Sequence, residues 1–225
     1  MDEIRMALVG LGGRGIGWLG LLQQIEGYRI TAICDPIVAL HERAISRLTH
    51  PKEVKAYNRY EDVLADPNVD AIALCVRCKE QGALAAQALE AGKHVNSEVP
   101  AAHTIEDCWH IVTAAEQSGL VYQLAEQTRY YGFVEAWRDL VAEGRLGHIT
   151  YCEGQYFHYY PNQSFQDPQT GKFYAPGEVS SHPQAKPTWL YHMPPIHYLP
   201  HELSPMLKVL DDRGVEATAM STRPP

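Results

Sequence analysis

The sequence predicts an α/β protein, in which an N-terminal Rossmann fold with a doubly wound parallel sheet precedes part of an α+β domain with a mostly antiparallel sheet. Two observations support this. Over residues 1–125, short apolar runs alternate with segments of helical periodicity, as in a parallel sheet covered by helices. After residue 125 this alternation stops, and prolines, tyrosines and histidines crowd residues 159–197. We therefore expect two domains, 1–125 and 126–225.

Turn-forming residues bound the elements of the first part. The apolar runs predict strands over residues 4–9, 28–34, 71–76 and 120–124. Helical spacing predicts helices over residues 14–24, 37–48, 60–64, 80–91 and 105–118. Thr104 is predicted to cap the last of these helices, and Gly119 to end it.

The second part carries fewer regular signals. Spacing predicts helices over 131–143 and 200–210, and partial alternation predicts strands over 149–158 and 215–220. A single pair of strands does not make a stable sheet. We therefore expect either that the second domain is incomplete, because the chain is C-terminally truncated, or that this domain is unusually small.

Charge and cysteine content restrict the class of protein. The net charge of −8 disfavours nucleic acid as a partner, because phosphate binding needs a basic face. No apolar run reaches membrane-spanning length, and the acidic N-terminus does not resemble a signal peptide. The five cysteines suit reduced thiols, and the pair Cys75 and Cys78 lacks a second ligand pair. We expect a cytoplasmic protein with neither a metal nor a membrane partner.

A glycine-rich turn follows the first predicted strand. It consists of Gly10, Leu11, Gly12, Gly13, Arg14 and Gly15, which matches G-x-G-x-x-G. Gly10 would permit the tight turn, Gly12 would let the backbone approach a pyrophosphate, and Gly15 would allow close packing of the helix. The N-terminus of the following helix would offer free N–H groups to the phosphates. These residues, with Gly13 and Arg14, are the candidate cofactor-binding turn.

Asp35 closes the second predicted strand, 20 residues after Gly15. A carboxylate at this position accepts hydrogen bonds from the hydroxyls of the adenosine ribose and repels a 2′-phosphate. A strand, the glycine turn, a helix and this acid in register predict a site for NAD rather than NADP. The alternative is a structural glycine turn with a solvated aspartate.

Several further segments follow the glycine turn and Asp35 in order along the chain. They are the run A-L-E-A-G-K-H-V at 88–95, the E-V-P sequence at 98–100 and the stretch 125–130. Together with the glycine turn and Asp35, these segments resemble the Gfo/Idh/MocA oxidoreductases. The resemblance implies an NAD(P)-binding domain and a second domain whose large sheet binds a sugar or cyclitol. It also implies that Glu98 contacts the ribose or nicotinamide side of the cofactor. Members usually have E-K-P, and Val99 replaces that proton-transferring lysine, while Gln81 replaces a common histidine.

Candidate catalytic residues lie in the second part. Tyr198 and His201 resemble the Y-x-x-H segment of the family's NAD-dependent glycosidases, and Tyr156 with His158 resembles another tyrosine–histidine stretch of those enzymes. A histidine near neutral pKa suits proton transfer, and a tyrosine can polarise a hydroxyl or ketone. The alternative roles are packing and helix capping. We take His201, Tyr198 and Tyr156 as the catalytic candidates.

The leading hypothesis is an NAD-dependent oxidoreductase that acts on a hydroxyl of a sugar, cyclitol or glycoside. One alternative is a redox-neutral NAD-dependent glycosidase, which oxidises, eliminates, hydrates and re-reduces its substrate. Another is an inactive cofactor-binding fragment. The expected partner is a small sugar or glycoside, and we expect the full-length protein to be a homo-oligomer.

Overall fold

The computed structural model describes residues 3–157, 163–192 and 195–220. The chain forms two compact units. The first combines residues 1–125 with 160–191, and the second combines 126–159 with 192–225. No helix in the described residues is both long and apolar enough to span a membrane.

A six-stranded parallel sheet forms the centre of the first unit. Its strands are β1 (Ile4–Val9), β2 (Tyr28–Cys34), β3 (Lys55–Tyr57), β4 (Ala71–Leu74), β5 (His94–Ser97) and β6 (Tyr122–Leu124). The order is β3-β2-β1-β4-β5-β6. The chain therefore builds β2 and β3 on one side of β1 and then crosses to build β4, β5 and β6 on its other side. Ligands of such sheets bind where the strand order reverses, outside the carboxyl ends of the strands. The predicted Rossmann fold is confirmed.

Two of these strands, β3 and β5, were not expected from the sequence. The three residues of β3 are not a continuous apolar run, and β5 alternates buried with half-buried positions. Hydropathy therefore marks neither segment. Pairing with β2 and β4 supplies the hydrogen bonds that make them strands.

Five helices cover the parallel sheet. They are α1 (Gly13–Leu22), α2 (Ala39–Ile45), α3 (Tyr60–Ala65), α4 (Cys78–Glu90) and α5 (Ile105–Ser118). Alternate residues of β1 contribute to two apolar clusters, Ala7 and Val9 to one and Met6 and Leu8 to the other. Because side chains along a strand alternate between the faces, both faces of the sheet are buried. The predicted Thr104 cap forms, since its hydroxyl accepts the Asp107 N–H at 3.1 Å.

Acid stability is expected to depend on Asp70, which precedes β4. Hydrogen bonds from the Arg5 side chain, at 2.5 and 2.8 Å, hold the pKa of this carboxyl at about 2. Because the folded pKa lies below the unfolded value, the stabilisation is complete above about pH 4 and is lost as the pH falls towards 2. After solvent screening of this partly exposed pair we expect about 1 kcal/mol. Urea unfolding of Asp70→Asn should show a weaker acid dependence than the native chain; identical pH profiles would contradict this.

A small antiparallel sheet completes the first unit. Its strands are β7 (Phe165–Gln166), β8 (Phe173–Tyr174) and β9 (Lys186–Pro187), in the order β8-β7-β9. The sequence predicted no regular structure in this proline-rich region. Two-residue strands carry no detectable periodicity, which is why the pattern missed them.

The second unit contains helices α6 (Gly132–Ala142) and α8 (Pro200–Leu210). A short helix between them in sequence, α7 (Trp189–His192), has its first three residues in the first unit. The helices predicted over 131–143 and 200–210 are confirmed. The strands predicted over 149–158 and 215–220 were wrong, since residues 149–157 and 215–220 are described without strand structure. A strand needs a hydrogen-bonded neighbour, and none of the described strands pairs with these segments. Phe157 and Val215 accordingly remain exposed.

Candidate cofactor and active site

The glycine turn joins the carboxyl end of β1 to α1, and the fold itself requires two of its glycines. Gly10 has φ +92°, and a Cβ there would overlap the backbone of Cys75 at the end of β4. A Cβ on Gly15 would overlap the carbonyl oxygen of Gly10. The turn is therefore packed against itself and the neighbouring strand, so neither position accommodates a side chain.

Gly12 and Gly13 differ from this pair. A Cβ on either would meet no described atom within 4 Å, and Gly12 has the ordinary extended angles φ −65° and ψ −172°. No side chain in the described ranges caps α1, and its first turn carries no acid. The open N–H groups and the positive end of the helix dipole thus lie beside vacant space, which suits a pyrophosphate.

Asp35 closes β2 and is buried, with 7% of its surface exposed. One carboxylate oxygen accepts the Leu11 N–H and the other accepts the Ile37 N–H, both at 2.8 Å. The side chain thus ties the glycine turn to the end of β2. Each carboxylate oxygen has a second lone pair, so this bracing role leaves acceptor capacity for ribose hydroxyls.

Asp35→Asn is expected to separate ribose recognition from bracing. The side-chain amide of asparagine would direct its NH₂ group at the backbone N–H of either Leu11 or Ile37, and one hydrogen bond would be lost. The unfolding temperature of the free protein should therefore fall. Loss of the charge should also narrow the preference for NAD over NADP, because the repulsion of the 2′-phosphate disappears. Calorimetric titrations with both cofactors measure that ratio. Equal losses of affinity for NAD and NADP would contradict the ribose assignment.

Glu98 follows β5 and is mostly buried. One oxygen, Oε1, accepts a hydrogen bond from Nε of Arg14, while the other is buried and has no hydrogen-bond partner among the described residues. Gln81 supports the same turn, because its Nε2 donates to the carbonyl oxygens of Glu98 and, at 2.6 Å, Pro100. An unpaired buried carboxylate oxygen is costly. A ligand with hydroxyl or amide donors, such as the NAD ribose or carboxamide, would satisfy it.

In the second unit, His201 and Glu126 form a buried pair. Nδ1 of His201 lies 3.0 Å from Oε1 of Glu126 with hydrogen-bonding geometry and 2.8 Å from Oε2 without it. Thr128 donates its N–H to Oε1 at 2.8 Å, and its hydroxyl lies 2.8 Å from the carbonyl oxygen of His201. The carboxylate favours the imidazole tautomer with its proton on Nδ1, which leaves Nε2 as an acceptor.

The other two catalytic candidates lie beside this histidine. The ring of Tyr156 is centred 5.3 Å from those of Tyr198 and His201, and Tyr198 stacks on His201 at 5.7 Å. Gly154, on the same segment as Tyr156, lies against α8, since a Cβ there would meet the terminal methyl of Met206. The structure thus brings together all three residues selected from the sequence. His158 lies outside the described residues.

Sequence reasoning missed Glu126. It lies in the stretch 125–130 that supports the family resemblance, but no role was assigned to it. The residues of the pair are 75 positions apart. Spacing along the chain does not reveal such a contact, although an acid two residues after the last strand predicted in the first domain is a usable signal.

Curated relatives share sequence with most of the described chain. Glycosyl hydrolase family 109 protein 2 of Shewanella sp. (strain ANA-3) is 35% identical over 164 residues, which are 70% of this chain and 36% of the relative. Alpha-N-acetylgalactosaminidase of Bacteroides fragilis (strain ATCC 25285) is 29% identical over 179 residues, 77% of this chain and 42% of the relative. The chain thus spans about two fifths of their length.

Solved structures share the fold. Scyllo-inositol dehydrogenase from Lactobacillus casei, with bound NAD(H) and scyllo-inositol, gives a TM-score of 0.61 at 25% identity over 66% of this chain and 44% of that one. The WlbA dehydrogenase from Bordetella pertussis, in complex with NADH and UDP-GlcNAcA, gives 0.61 at 26% identity over 66% of this chain and 42% of that one.

The family model described as "Oxidoreductase family, NAD-binding Rossmann fold" matches residues 4–126. This range contains the whole parallel sheet, the glycine turn, Asp35 and Glu98. The match covers more than half of the chain. An NAD-binding family is consistent with the glycine turn, which is open at Gly12 and Gly13. The chain therefore belongs to the Gfo/Idh/MocA oxidoreductase family.

Proposed function

We propose that the protein is an NAD-dependent oxidoreductase that removes hydride from a hydroxyl-bearing carbon of a sugar, cyclitol or glycoside. Residues 1–125 bind the cofactor, and the residues that follow bind the substrate. The observation that carries the proposal is the vacant space at Gly12 and Gly13, beside the uncapped N-terminus of α1 and the carboxylate of Asp35. The full-length enzyme would act as a homo-oligomer in the cytoplasm.

Bound NAD⁺ supplies the hydride acceptor for this chemistry. Gly12, Gly13 and the first turn of α1 would hold its pyrophosphate, Asp35 its adenosine ribose, and the unpaired oxygen of Glu98 a hydroxyl or amide. Arg14 holds the other oxygen of Glu98 and so fixes the direction of the free one. These residues bind and orient; none of them is required to transfer a proton.

The hydroxyl proton needs a separate acceptor, because Val99 replaces the usual lysine and cannot titrate. We assign this role to Nε2 of His201. Glu126 acts as a positioning residue, since it holds Nδ1–H and stabilises the imidazolium that forms. The hydroxyls of Tyr156 and Tyr198 would polarise the substrate oxygen as the alcohol becomes a ketone.

A second candidate is a redox-neutral glycosidase, which the names of the curated relatives favour. Oxidation of a ring hydroxyl to a ketone acidifies the neighbouring C–H. Loss of that proton expels the glycosidic oxygen as an alcohol, water adds to the resulting double bond, and return of the hydride restores the hydroxyl. The net change is hydrolysis, and NAD ends in its starting state.

Incubation of the purified protein with NAD⁺ and a panel of cyclitols, sugars and aryl glycosides distinguishes the candidates. Net formation of NADH, measured by its absorbance, supports the dehydrogenase. Release of the aryl alcohol without NADH supports the glycosidase. If the protein binds NAD but forms neither NADH nor the aryl alcohol, the result contradicts both the dehydrogenase and the glycosidase. The remaining explanation is then an inactive cofactor-binding fragment.

A further inference from the structure

Residues 163–188, which we call the arm, form a hydrogen-bonded hairpin and a returning strand. Phe165 pairs with Tyr174 and with Pro187, which places β7 between β8 and β9. The tip of the hairpin is closed by the N–H of Asp167, which donates to the carbonyl oxygen of Lys172 at 2.9 Å, and by the N–H of Gly171, which donates to Asp167 at 2.9 Å. The arm therefore has a defined shape of its own.

Two contacts fix the arm to the Rossmann part of the same unit. At the tip, Gly171 has φ +71° and lies so close to Leu40 of α2 that an added Cβ would stand 2.9 Å from Leu40 Cδ2. At the base, Oε1 of Gln166 accepts a hydrogen bond from Nη2 of Arg77 at 2.6 Å. Gln166 is buried, and its Nε2 donates to the carbonyl oxygen of Gly171 at 3.1 Å, which links the two contacts.

The positions of these contacts in the fold are informative. Leu40 lies in α2, five residues after Asp35 at the carboxyl end of β2, and Arg77 lies between β4 and α4. Because β2 and β4 are the two neighbours of β1, the arm is fixed on both sides of the strand that ends in the glycine turn. The carboxyl ends of parallel strands are where this fold binds its ligand.

We propose that the arm forms the outer wall of the adenosine half of the cofactor site and slows the release of NAD. The adenosine half is chosen because the tip contacts the helix that follows Asp35, the residue assigned to the adenosine ribose. The inference rests on the proposed NAD site. Its consequence is a cofactor that stays bound through many turnovers, since dissociation requires the arm to leave Leu40 or Arg77.

Gln166→Met and Gly171→Ala test the arm without altering the glycine turn. Methionine keeps the volume of Gln166 but removes both hydrogen bonds, and alanine at Gly171 is strained by its positive φ and crowds Leu40. Gly177→Ala is the matched control, because a Cβ on that arm residue meets no described atom within 4 Å. Stopped-flow fluorescence gives the association and dissociation rates of NADH, and calorimetry gives the affinity for NAD.

We expect at least tenfold faster NADH dissociation from Gln166→Met and Gly171→Ala, and native rates from Gly177→Ala. Because NADH must pass the arm to enter as well as to leave, the association rate of the two arm variants should equal or exceed the native rate. Tighter binding by the two variants would overturn the proposal, because it would mean that the arm competes with the cofactor. If the native protein binds NAD and the two variants release NADH at the native rate, the proposed role of the arm is overturned, but the cofactor assignment is not. A native protein without NAD affinity would overturn the cofactor assignment as well.

Limited proteolysis of the native chain provides a second measurement that does not depend on the folding of a variant. Lys172 is exposed at the tip of the arm and is a trypsin site. If NAD lies under the arm, saturating NAD should slow cleavage after Lys172 several-fold, while cleavage after Lys52, outside the arm, keeps its rate. Equal rates after Lys172 with and without NAD would overturn the proposal.

Discussion

Alanine at Gly12 is expected to lower the affinity for NAD at least tenfold while leaving the unfolding temperature of the free protein unchanged. The backbone at Gly12 is extended and a Cβ there meets no described protein atom, so the folded chain does not require glycine. The pyrophosphate is what would meet the methyl group, because the backbone has to approach it closely. A tenfold loss corresponds to about 1.4 kcal/mol of binding free energy. Calorimetric titration with NAD and thermal unfolding without it measure the two effects.

Two neighbouring glycines serve as comparisons for Gly12. Gly15→Ala should lower both stability and affinity, because its methyl group overlaps the carbonyl oxygen of Gly10. Gly17→Ala should keep the affinity and raise stability by about 0.5–1 kcal/mol, since Gly17 is an exposed interior residue of α1. Native affinity in Gly12→Ala would show that the vacant space at this turn is not where the phosphates bind.

His201→Gln is expected to reduce turnover at least 100-fold while leaving NAD affinity within about twofold of the native value. Glutamine can still donate a hydrogen bond to Glu126, so the buried carboxylate keeps a partner, but it cannot accept and release a proton at neutral pH. Positioned acid–base groups contribute factors of about 10² to 10⁴ in rate. The measurements are initial rates with a substrate found in the panel and calorimetric NAD titration.

Glu126→Gln distinguishes a positioning role from a structural one. The amide no longer stabilises the imidazolium that forms on His201 during turnover, so kcat should fall while the affinity for NAD stays near the native value. His110→Gln, at an exposed position on α5, is the control and should behave like the native chain.

Retention of activity by His201→Gln would transfer the proton-acceptor role to Tyr198 or Tyr156.

Much of the first unit could be predicted because its physical signals are local. The apolar runs of β1, β2 and β4 are mostly buried, and a glycine turn between a strand and a helix is typical of a dinucleotide-binding fold. β5 escaped prediction because Asn96 and Ser97 interrupt its hydropathy. The prediction of strands at 149–158 and 215–220 was wrong for another reason. Alternation indicates only that a segment could pair, whereas a strand forms only when a neighbouring strand supplies the hydrogen bonds.

The site was predictable to a similar degree. The glycines, Asp35 and Glu98 follow strands of one sheet, and parallel topology brings the carboxyl ends of strands together. The Glu126–His201 pair was not predictable, because it joins residues on either side of a long irregular segment. The bracing role of Asp35 was also missed. A sequence shows that an acid is present, but not which backbone N–H groups its oxygens accept.

That bracing role limits how the cofactor preference of this protein could be re-engineered. The simplest redesign for NADP would replace the acid after the second strand with a small or basic residue, so that the 2′-phosphate is no longer repelled. Here the carboxylate of Asp35 accepts hydrogen bonds from the N–H of Leu11 in the glycine turn and from the N–H of Ile37, just before α2. A redesign that removes Asp35 must therefore supply new acceptors for Leu11 and Ile37 before a phosphate-binding arginine can be of use.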